Sequence, residues 1–519
     1  LTMGTITVRD AVYAFLADQG IDTIFGNPGS TELPMFRDMP PSIRYVLGLQ
    51  EGVVAGMADG HAQATGLPAL LNLHSSAGVG HALGNIHTAY RNRTPMVIVA
   101  GQQARSILPF EPFLFAERPT EFPQPFVKWA VEPARAEDVP LAIARAFHVA
   151  MQPPRGPVFV SVPVDDWDRP STLLAPRRVS TRLDADPGLL TEAGAMLARA
   201  ERPVIVAGSG VGRSGAGAAL AHLASLHQAP VWAAPFAARE TIDENHPLFA
   251  GFLPAAREPI VAALSGHDLV LVIGAPVFTW HVEGFGPAVP PGAALVLIDD
   301  DPDFAARVPQ GLAITGDIPA AIERLTATRA PDRGPPAPRP SYPAPAGGSI
   351  TSDLLIARLQ ALRPHGIAIA EEAPSSRPAL HRHFRVGPGD TFHACASGGL
   401  GFALPAAAGL AVAGRPTLAL IGDGSMMYSI QTLWSAARYA LDLRVIVVNN
   451  CGYAALDQFG EQFGVQGAET ALPGLDFCAL AQGHGLPAAR VSDPAGLDEA
   501  LVALFARTGP SLLEVMVAR

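Results

Sequence analysis

The alternation of short, apolar, β-rich runs with longer Ala- and Leu-rich stretches constrains this chain more than any other feature. Runs at 69–73, 96–100, 158–162, 204–207, 269–273, 294–298, 367–370, 418–421, 444–448 and 513–517 read as strands. Helix-length stretches at 52–65, 79–90, 216–227 and 430–439 lie between some of them. Such alternation builds parallel sheets covered by helices, because parallel neighbours need a crossover connection. Two segments interrupt the pattern. Residues 168–187 are polar and proline-containing, and 329–348 are too rich in Pro and Gly to pack as helix or strand. Both read as linkers, the second running extended over the surface. The expected organisation is three doubly wound parallel-sheet α/β domains over 1–170, 188–328 and 349–519, in keeping with a length of 519 residues. No internal sequence repeat relates the blocks.

Composition narrows the function. A net charge of −11 with no basic run argues against a nucleic-acid surface, which needs clustered Lys and Arg. Three cysteines without a CxxC make neither a disulfide framework nor a zinc site, and fit a reducing cytoplasm. The first ten residues lack the basic and apolar regions of a signal peptide. The uncharged stretch 394–414 is dominated by Gly and Ala and broken by Pro405, so it reads as a buried loop and helix rather than a membrane span.

The most informative segment is 418–456. A strand runs into Gly422, Asp423, Gly424 and Ser425; a helix follows; a second strand ends in Asn449 and Asn450. Loops at the carboxyl ends of parallel strands share one sheet edge, where ligands bind. Gly422 and Gly424 admit a phosphate close to the backbone, and a helix starting near Ser425 directs N–H groups at an anion. Asp423 and Asn450 offer the hard oxygens that Mg²⁺ takes. Alone, Gly-Asp-Gly reads equally well as an ordinary turn. The Asn pair at a second strand end, separated from Gly424 by 24 residues, points to a metal–diphosphate site.

A second constellation occupies the first 100 residues: FGNPGS at 25–30, LQE at 49–51 and NLHSSAG at 72–78. Glu51 precedes a helix of small residues that permits close packing, and would enter a desolvated setting. Its plainer reading is a first-turn Glu favoured by the helix dipole. Most of the fifteen histidines read as structural or surface residues.

Together with GAPVF at 274–278 leading to His281, and GGLGFALP at 398–405, these segments resemble the thiamine-diphosphate-dependent 2-keto-acid decarboxylases, and among them the benzoylformate decarboxylase family. The resemblance covers essentially the whole chain. It implies thiamine diphosphate and Mg²⁺ as cofactors. Asp423 and Asn450 would ligate the metal through side chains and Gly452 through its carbonyl. Ser375, Gly422, Gly424, Ser425 and Tyr453 would contact the cofactor, Leu400 would hold it bent, and Glu51 would hydrogen-bond its aminopyrimidine. Ser30 would hold the substrate carboxylate, and His74 and His281 would move protons. Phe113, Leu114, Ala394 and Phe459 would line the substrate pocket. The resemblance further implies a homotetramer with sites between subunits, acting on a small 2-keto acid, aryl in first preference, with neither nucleic acid nor membrane as partner.

Two departures bear on substrate choice. The chain reads FHAC at 392–395, where the family has aromatic residues before GGLG, and Pro374 replaces a hydroxyl residue beside Ser375. A competing signal lies in the middle block, where Gly210, Gly212 and Gly215 satisfy GxGxxG after a strand. No acidic residue follows about 20 positions on at a strand end, so a tight turn is the stronger reading. Related carboligating synthases carry FAD in this block, which keeps an acetolactate-synthase-like transferase as the alternative.

Overall fold

The computed structural model describes residues 6–518 apart from 329–332, 335, 337–338, 344–346 and 466–468. Much of the 329–348 linker therefore lies outside the described residues. Among those described, Arg333 donates to the carbonyls of Leu197 (2.8 Å) and His227 (3.0 Å).

Three six-stranded sheets organise the chain, each with every pairing parallel. The first contains Thr23–Asn27, Arg44–Leu47, Ala69–Leu73, Met96–Gln102, Ala130–Val131 and Pro157–Pro163. The middle one contains Pro203–Ala207, Val231–Ala233, Phe249–Phe252, Leu269–Ile273, Ala294–Asp299 and Leu312–Thr315. The third contains Ala368–Glu372, Thr391–Ala394, Thr417–Gly422, Leu443–Asn449, Ala488–Val491 and Ser511–Met516. Numbered in chain order within each sheet, the strands lie 2-1-3-4-6-5 in the first and third and 3-2-1-4-5-6 in the middle. The fold is thus three doubly wound α/β units. Met96–Gln102 and Pro157–Pro163 are buried at every position, which is why they read as near-continuous apolar runs rather than alternating ones. The segment 168–187 is irregular apart from Pro170–Ser171, which pairs antiparallel with Ile6–Thr7, and the start of the helix Pro187–Arg199.

Each sheet has apolar clusters on both faces, and one cluster is shared. Phe25, Leu71 and Ile98 of the first sheet and Ala368, Ala419 and Val447 of the third belong to a single core. Two helices of small residues fill it: Glu51–Thr65 and Ala403–Val412, the latter buried throughout. Pro405 sits in that helix's first turn, where no intrahelical N–H is lost. No helix among the described residues is long and apolar enough to cross a membrane.

The two helices touch backbone to backbone. A Cβ on Gly60 would strike the Ala406 carbonyl, and one on Gly409 would strike the Met57 carbonyl. Neither obstacle is a side chain that could swing away. Gly409→Val is therefore expected to cost ~3 kcal/mol of stability. Gly84→Ala, on an open helix surface, should be stabilising by ~0.5–1 kcal/mol. Urea unfolding midpoints of the two variants check both signs.

Candidate active site

The strand order reverses between the first and third strands of both outer sheets, so the loops leaving those strands diverge and open a crevice. In the third sheet the crevice lies between Ala368–Glu372 and Thr417–Gly422. Asp423 begins the short helix that follows the second of these and is 3% exposed. Its carboxylate accepts from the N–H of Gly424 (2.9 Å) and the N–H of Gly452 (2.8 Å). Asn450 donates through Nδ2 to Ser375 Oγ at 3.3 Å, while its Oδ1 is buried with no hydrogen-bond partner. A buried amide oxygen left without a donor is costly, and a cation would satisfy it. Ser375 points its hydroxyl into this cluster; Ser376 bonds Ser352 instead (2.9 Å).

The glycines differ in their reasons. A Cβ on Gly424 would run into the Tyr453 ring, so that glycine is required by packing. Gly422 has φ −70° and no atom within 3.7 Å of where a Cβ would stand, so nothing in the chain itself demands a glycine there. Close approach of a ligand would. Gly401 has φ +95°, and a Cβ there would lie 2.8 Å from that of Tyr428.

Glu372 was not singled out by sequence reading, yet it shapes the Leu400 loop. Its carboxylate accepts from the N–H groups of Gly401 (2.6 Å), Phe402 (2.8 Å) and Ala403 (2.7 Å). It thereby caps the Ala403–Val412 helix and fixes the turn that carries Leu400. Burial pushes this carboxyl up to about 7, against the opposing pull of the three N–H donors and with a smaller push from Glu371.

In the first sheet the crevice opens after Thr23–Asn27 and Ala69–Leu73. Ser30 is exposed in the loop after the first of these strands; His74 follows the other. The His74 imidazole lies where a Gly29 side chain would be. Its Nδ1 is 2.9 Å from Glu32 Oε2 and 3.1 Å from Thr31 Oγ1. Glu32 is 2% exposed and also accepts from the Gly29 N–H (2.8 Å), so it ties the Ser30 loop to His74. With Nδ1 engaged by a carboxylate, the ring presents Nε2 to a ligand. Ser75 Oγ donates to the Leu114 carbonyl at 2.8 Å, drawing Leu114 (φ +65°) to the same helix start. Phe113 beside it is 88% exposed. Glu51 lies at its helix N-terminus, 15% exposed, with Oε2 3.1 Å from His81 Nδ1. Asn85 Nδ2 donates to the carbonyls of Gly52 (2.6 Å) and Gly401 (3.3 Å), which joins the Glu51 turn to the Leu400 loop.

The middle unit supplies His281. Its ring packs edge-on against Phe236 and Phe459, with centroids 5.7 and 4.8 Å away. Phe459 belongs to the helix Ala454–Phe463 of the third unit, so these two expected site residues meet. Ala394 is 2% exposed and its N–H is bonded to the Ala238 carbonyl (2.9 Å). Among the described residues no hydrogen bond or ring contact joins His74 to His281.

Comparison with known proteins identifies the family. Family models of the thiamine pyrophosphate enzymes match at 6–122 (N-terminal TPP binding domain), 190–325 (central domain) and 375–515 (C-terminal TPP binding domain). The chain belongs to the thiamine pyrophosphate enzyme family. It is 41% identical to the benzoylformate decarboxylase of Pseudomonas aeruginosa, over 98% of each chain. The solved structure of the Rhodococcus jostii RHA1 thiamine diphosphate-dependent 4-hydroxybenzoylformate decarboxylase matches with a TM-score of 0.95 and 37% identity, over 99% of each chain. Acetolactate synthases are more distant: the large subunit from Parasynechococcus marenigrum is 27% identical, over 99% of this chain and 88% of its own.

Within a thiamine pyrophosphate enzyme the GxGxxG run of the middle domain has a structural explanation. A Cβ on Gly210 would lie 2.7 Å from Gly274 Cα, one on Gly212 would strike the Glu240 carbonyl, and Gly215 has φ +68°. These glycines serve loop packing and a turn.

The Glu372 carboxyl makes a pH prediction. Its folded value of about 7 lies above the ordinary 4.5, so between those values the folded chain holds a proton that the unfolded chain has released. Its contribution to stability falls as pH rises through that window. The urea midpoint of the unaltered protein, relative to that of Glu372→Gln, should therefore decline from pH 4.5 to 7. A constant difference would refute the burial argument.

Proposed function

We propose that this enzyme carries out the thiamine-diphosphate- and Mg²⁺-dependent, non-oxidative decarboxylation of an aryl 2-keto acid, with benzoylformate giving benzaldehyde and CO₂ as the reference reaction. The observation that carries the reading is the buried, unpartnered Oδ1 of Asn450, two residues before Gly452, whose N–H donates to the Asp423 carboxylate. Hard oxygens of this kind suit a Mg²⁺ ion shared with a diphosphate. Asp423, Asn450 and the Gly452 carbonyl would hold the ion. Gly422, Gly424, Ser425, Ser375 and Tyr453 would surround the diphosphate.

When bound, the cofactor supplies the electron sink that lets a carboxylate leave as CO₂. The remaining work falls to side chains. Glu51 would hydrogen-bond the cofactor's pyrimidine ring and hold a proton there, and Leu400, on the loop clamped by Glu372, would support the cofactor. Ser30 donates to the keto-acid carboxylate. His74, oriented through Nδ1 by Glu32, and His281, set between two phenyl rings, move protons at the reacting carbon and its oxygen. Phe113, Leu114, Ala394 and Phe459 would line the substrate pocket.

Assembly belongs to the same proposal. Phe110, Phe113 and Phe122 near the first-domain edge are exposed in the single chain, as are Tyr428, Leu456 and Phe463 of the third domain. Large apolar groups on ligand-binding edges are surfaces for another copy, which supports a homotetramer with sites between subunits. Three unpaired cysteines suit a reducing cytoplasm.

Benzoylformate should be converted to benzaldehyde and CO₂ only with thiamine diphosphate and Mg²⁺, with loss on chelation and recovery on adding Mg²⁺. Glu51→Gln should lower kcat/KM by ~10²-fold or more with an unchanged circular dichroism spectrum. Acetolactate formed from pyruvate by a yellow, FAD-bearing protein would instead establish the carboligating transferase.

A further inference from the structure

Asp59 lies in the first domain on the helix Glu51–Thr65, is 0% exposed, and has no part in the chemistry above. Its carboxylate accepts from three neutral donors of its own domain: Gln63 Nε2 (2.7 Å), Thr94 Oγ1 (2.5 Å) and Asn92 Nδ2 (3.2 Å). Burial pushes this carboxyl up to about 6, against the pull of the three hydrogen bonds and of Arg239. Above that value it is ionised and can only accept.

This sets the orientation of two amides. Gln63 and Asn92 must turn their nitrogens to the carboxylate and their oxygens away from it. Both oxygens reach the third domain. Asn92 Oδ1 accepts from the Ala396 N–H at 3.0 Å. Gln63 Oε1 lies 2.9 Å from His393 Nδ1 and also accepts from Arg239 (3.3 Å). His393 is 1% exposed, and burial holds it well below the ordinary imidazole range, so the ring is neutral. Facing an amide oxygen, it carries its proton on Nδ1, and Nε2 accepts from the Thr391 hydroxyl at 3.0 Å. The histidine of the FHAC departure therefore serves a contact between domains.

These contacts govern the chain that leads to Leu400. Residues 395–402 lie between Thr391–Ala394 and Ala403–Val412 in neither helix nor strand, so side chains decide their path. Thr88 Oγ1 is 2.9 Å from Ser397 Oγ, which accepts from the Gly399 N–H (3.1 Å), and Asn85 reaches the Gly401 carbonyl. Asn85, Thr88 and Asn92 recur at helical spacing on one face of Ser75–Asn92. Of the three, Asn92 is the one that Asp59 turns.

We propose that Asp59 is a remote positioning residue for the cofactor: by turning Gln63 and Asn92 outward it sets the path of residues 393–396 and so the place of Leu400. The inference rests on the reading that Leu400 supports thiamine diphosphate. Asp59 acts in it through the two amides and not by touching cofactor or substrate.

The test uses the full chain with saturating thiamine diphosphate and Mg²⁺ in D₂O at about pH 8, where Asp59 is ionised. The readout is the rate at which the bound cofactor exchanges its thiazolium C2 hydrogen for deuterium, followed by acid quench and NMR. That rate depends on how well the two rings of the cofactor are held together, a positioning effect. Only folded, loaded enzyme contributes, so lost stability alone does not register. Asp59→Asn keeps size and shape. The new amide oxygen can still accept from Gln63 and Thr94, which share one carboxylate oxygen in the unaltered protein. Its nitrogen faces Asn92, which must flip and then opposes a donor to the Ala396 N–H. Exchange should slow on the order of tenfold, short of the ~10²-fold of a misplacement of about 1 Å, because residues 397 and 401 keep their anchors. Cofactor affinity should stay within about threefold, as expected for a site remote from the Asp423 cluster. The double variant Asp59→Asn/Asn92→Asp should restore the rate, since the carboxylate at 92 accepts from both the amide at 59 and the Ala396 N–H. Thr94→Val removes a donor from the same carboxylate but neither amide contact, and should leave the rate nearly unchanged. Where Asp59→Asn does not fold, Asn92→Ala removes the Ala396 anchor from the other side and should slow exchange in the same way. Unchanged exchange in either variant, no recovery in the double variant, or equal slowing by Thr94→Val overturns the proposal. An unaltered enzyme that exchanges no faster than free thiamine diphosphate overturns the cofactor reading itself, a result distinct from all of these.

Discussion

How closely two helices of small residues approach one another governs the chemistry available to this fold. The Glu51–Thr65 and Ala403–Val412 helices meet through Gly60 against the Ala406 backbone and Gly409 against the Met57 backbone. Each helix begins at a ligand-bearing sheet edge: Glu51 is the first residue of one, and Leu400 lies three residues ahead of the other. Their separation therefore fixes the distance between Glu51 and the Leu400 loop that would support a cofactor. Asn85 locks the two turns by donating to a carbonyl on each. Catalysis by positioning tolerates little slack, since a misplacement of about 1 Å can cost on the order of 10²-fold. Backbone-to-backbone contact is among the stiffest ways to meet that requirement.

The parts of the fold legible in the sequence were those whose burial is complete. Strands such as Met96–Gln102 and Leu269–Ile273 announce themselves as near-continuous apolar runs. Arg44–Leu47, Ala130–Val131 and Thr391–Ala394 do not, because short or polar-starting strands look like the loops around them. The first and third sheets share the order 2-1-3-4-6-5, yet no sequence repeat betrays it. Strand order depends on where apolar runs and crossovers fall, and many different side chains satisfy that spacing.

The site was legible where a residue type is rare in its position and silent where it is common. Asp423 and Asn450 stood out as polar groups at the ends of apolar strands. Glu32 and Glu372 resembled surface acids, and only their burial, 2% and 4% exposed, reveals that one orients His74 and the other holds the Leu400 turn. A faint signal existed for the second: two consecutive glutamates closing a strand that is otherwise apolar. The GxGxxG run shows the converse. Its pattern matched a phosphate loop, but Gly210 and Gly212 are dictated by contacts within the domain. Phe113 and Ala394 make a similar point, since a shared expectation of lining a pocket resolves into one ring 88% exposed and one methyl 2% exposed.

The division of labour among the three domains follows from their topologies. The two outer domains, alike in strand order, present matching crevices, one with the Ser30, His74 and Glu51 groups and one with the Asp423 and Asn450 groups. The middle domain, wound differently, contributes His281 and Phe236. Neither residue belongs to the Asp423 cluster. Changes in the middle domain can therefore alter what surrounds a substrate without disturbing the oxygens that would hold the metal. Function grafted onto a fold in this way lets one cofactor frame serve different substrates. It also explains why the motifs that identify the family lie mainly in the outer domains, while the residues that would choose a substrate sit where the domains meet.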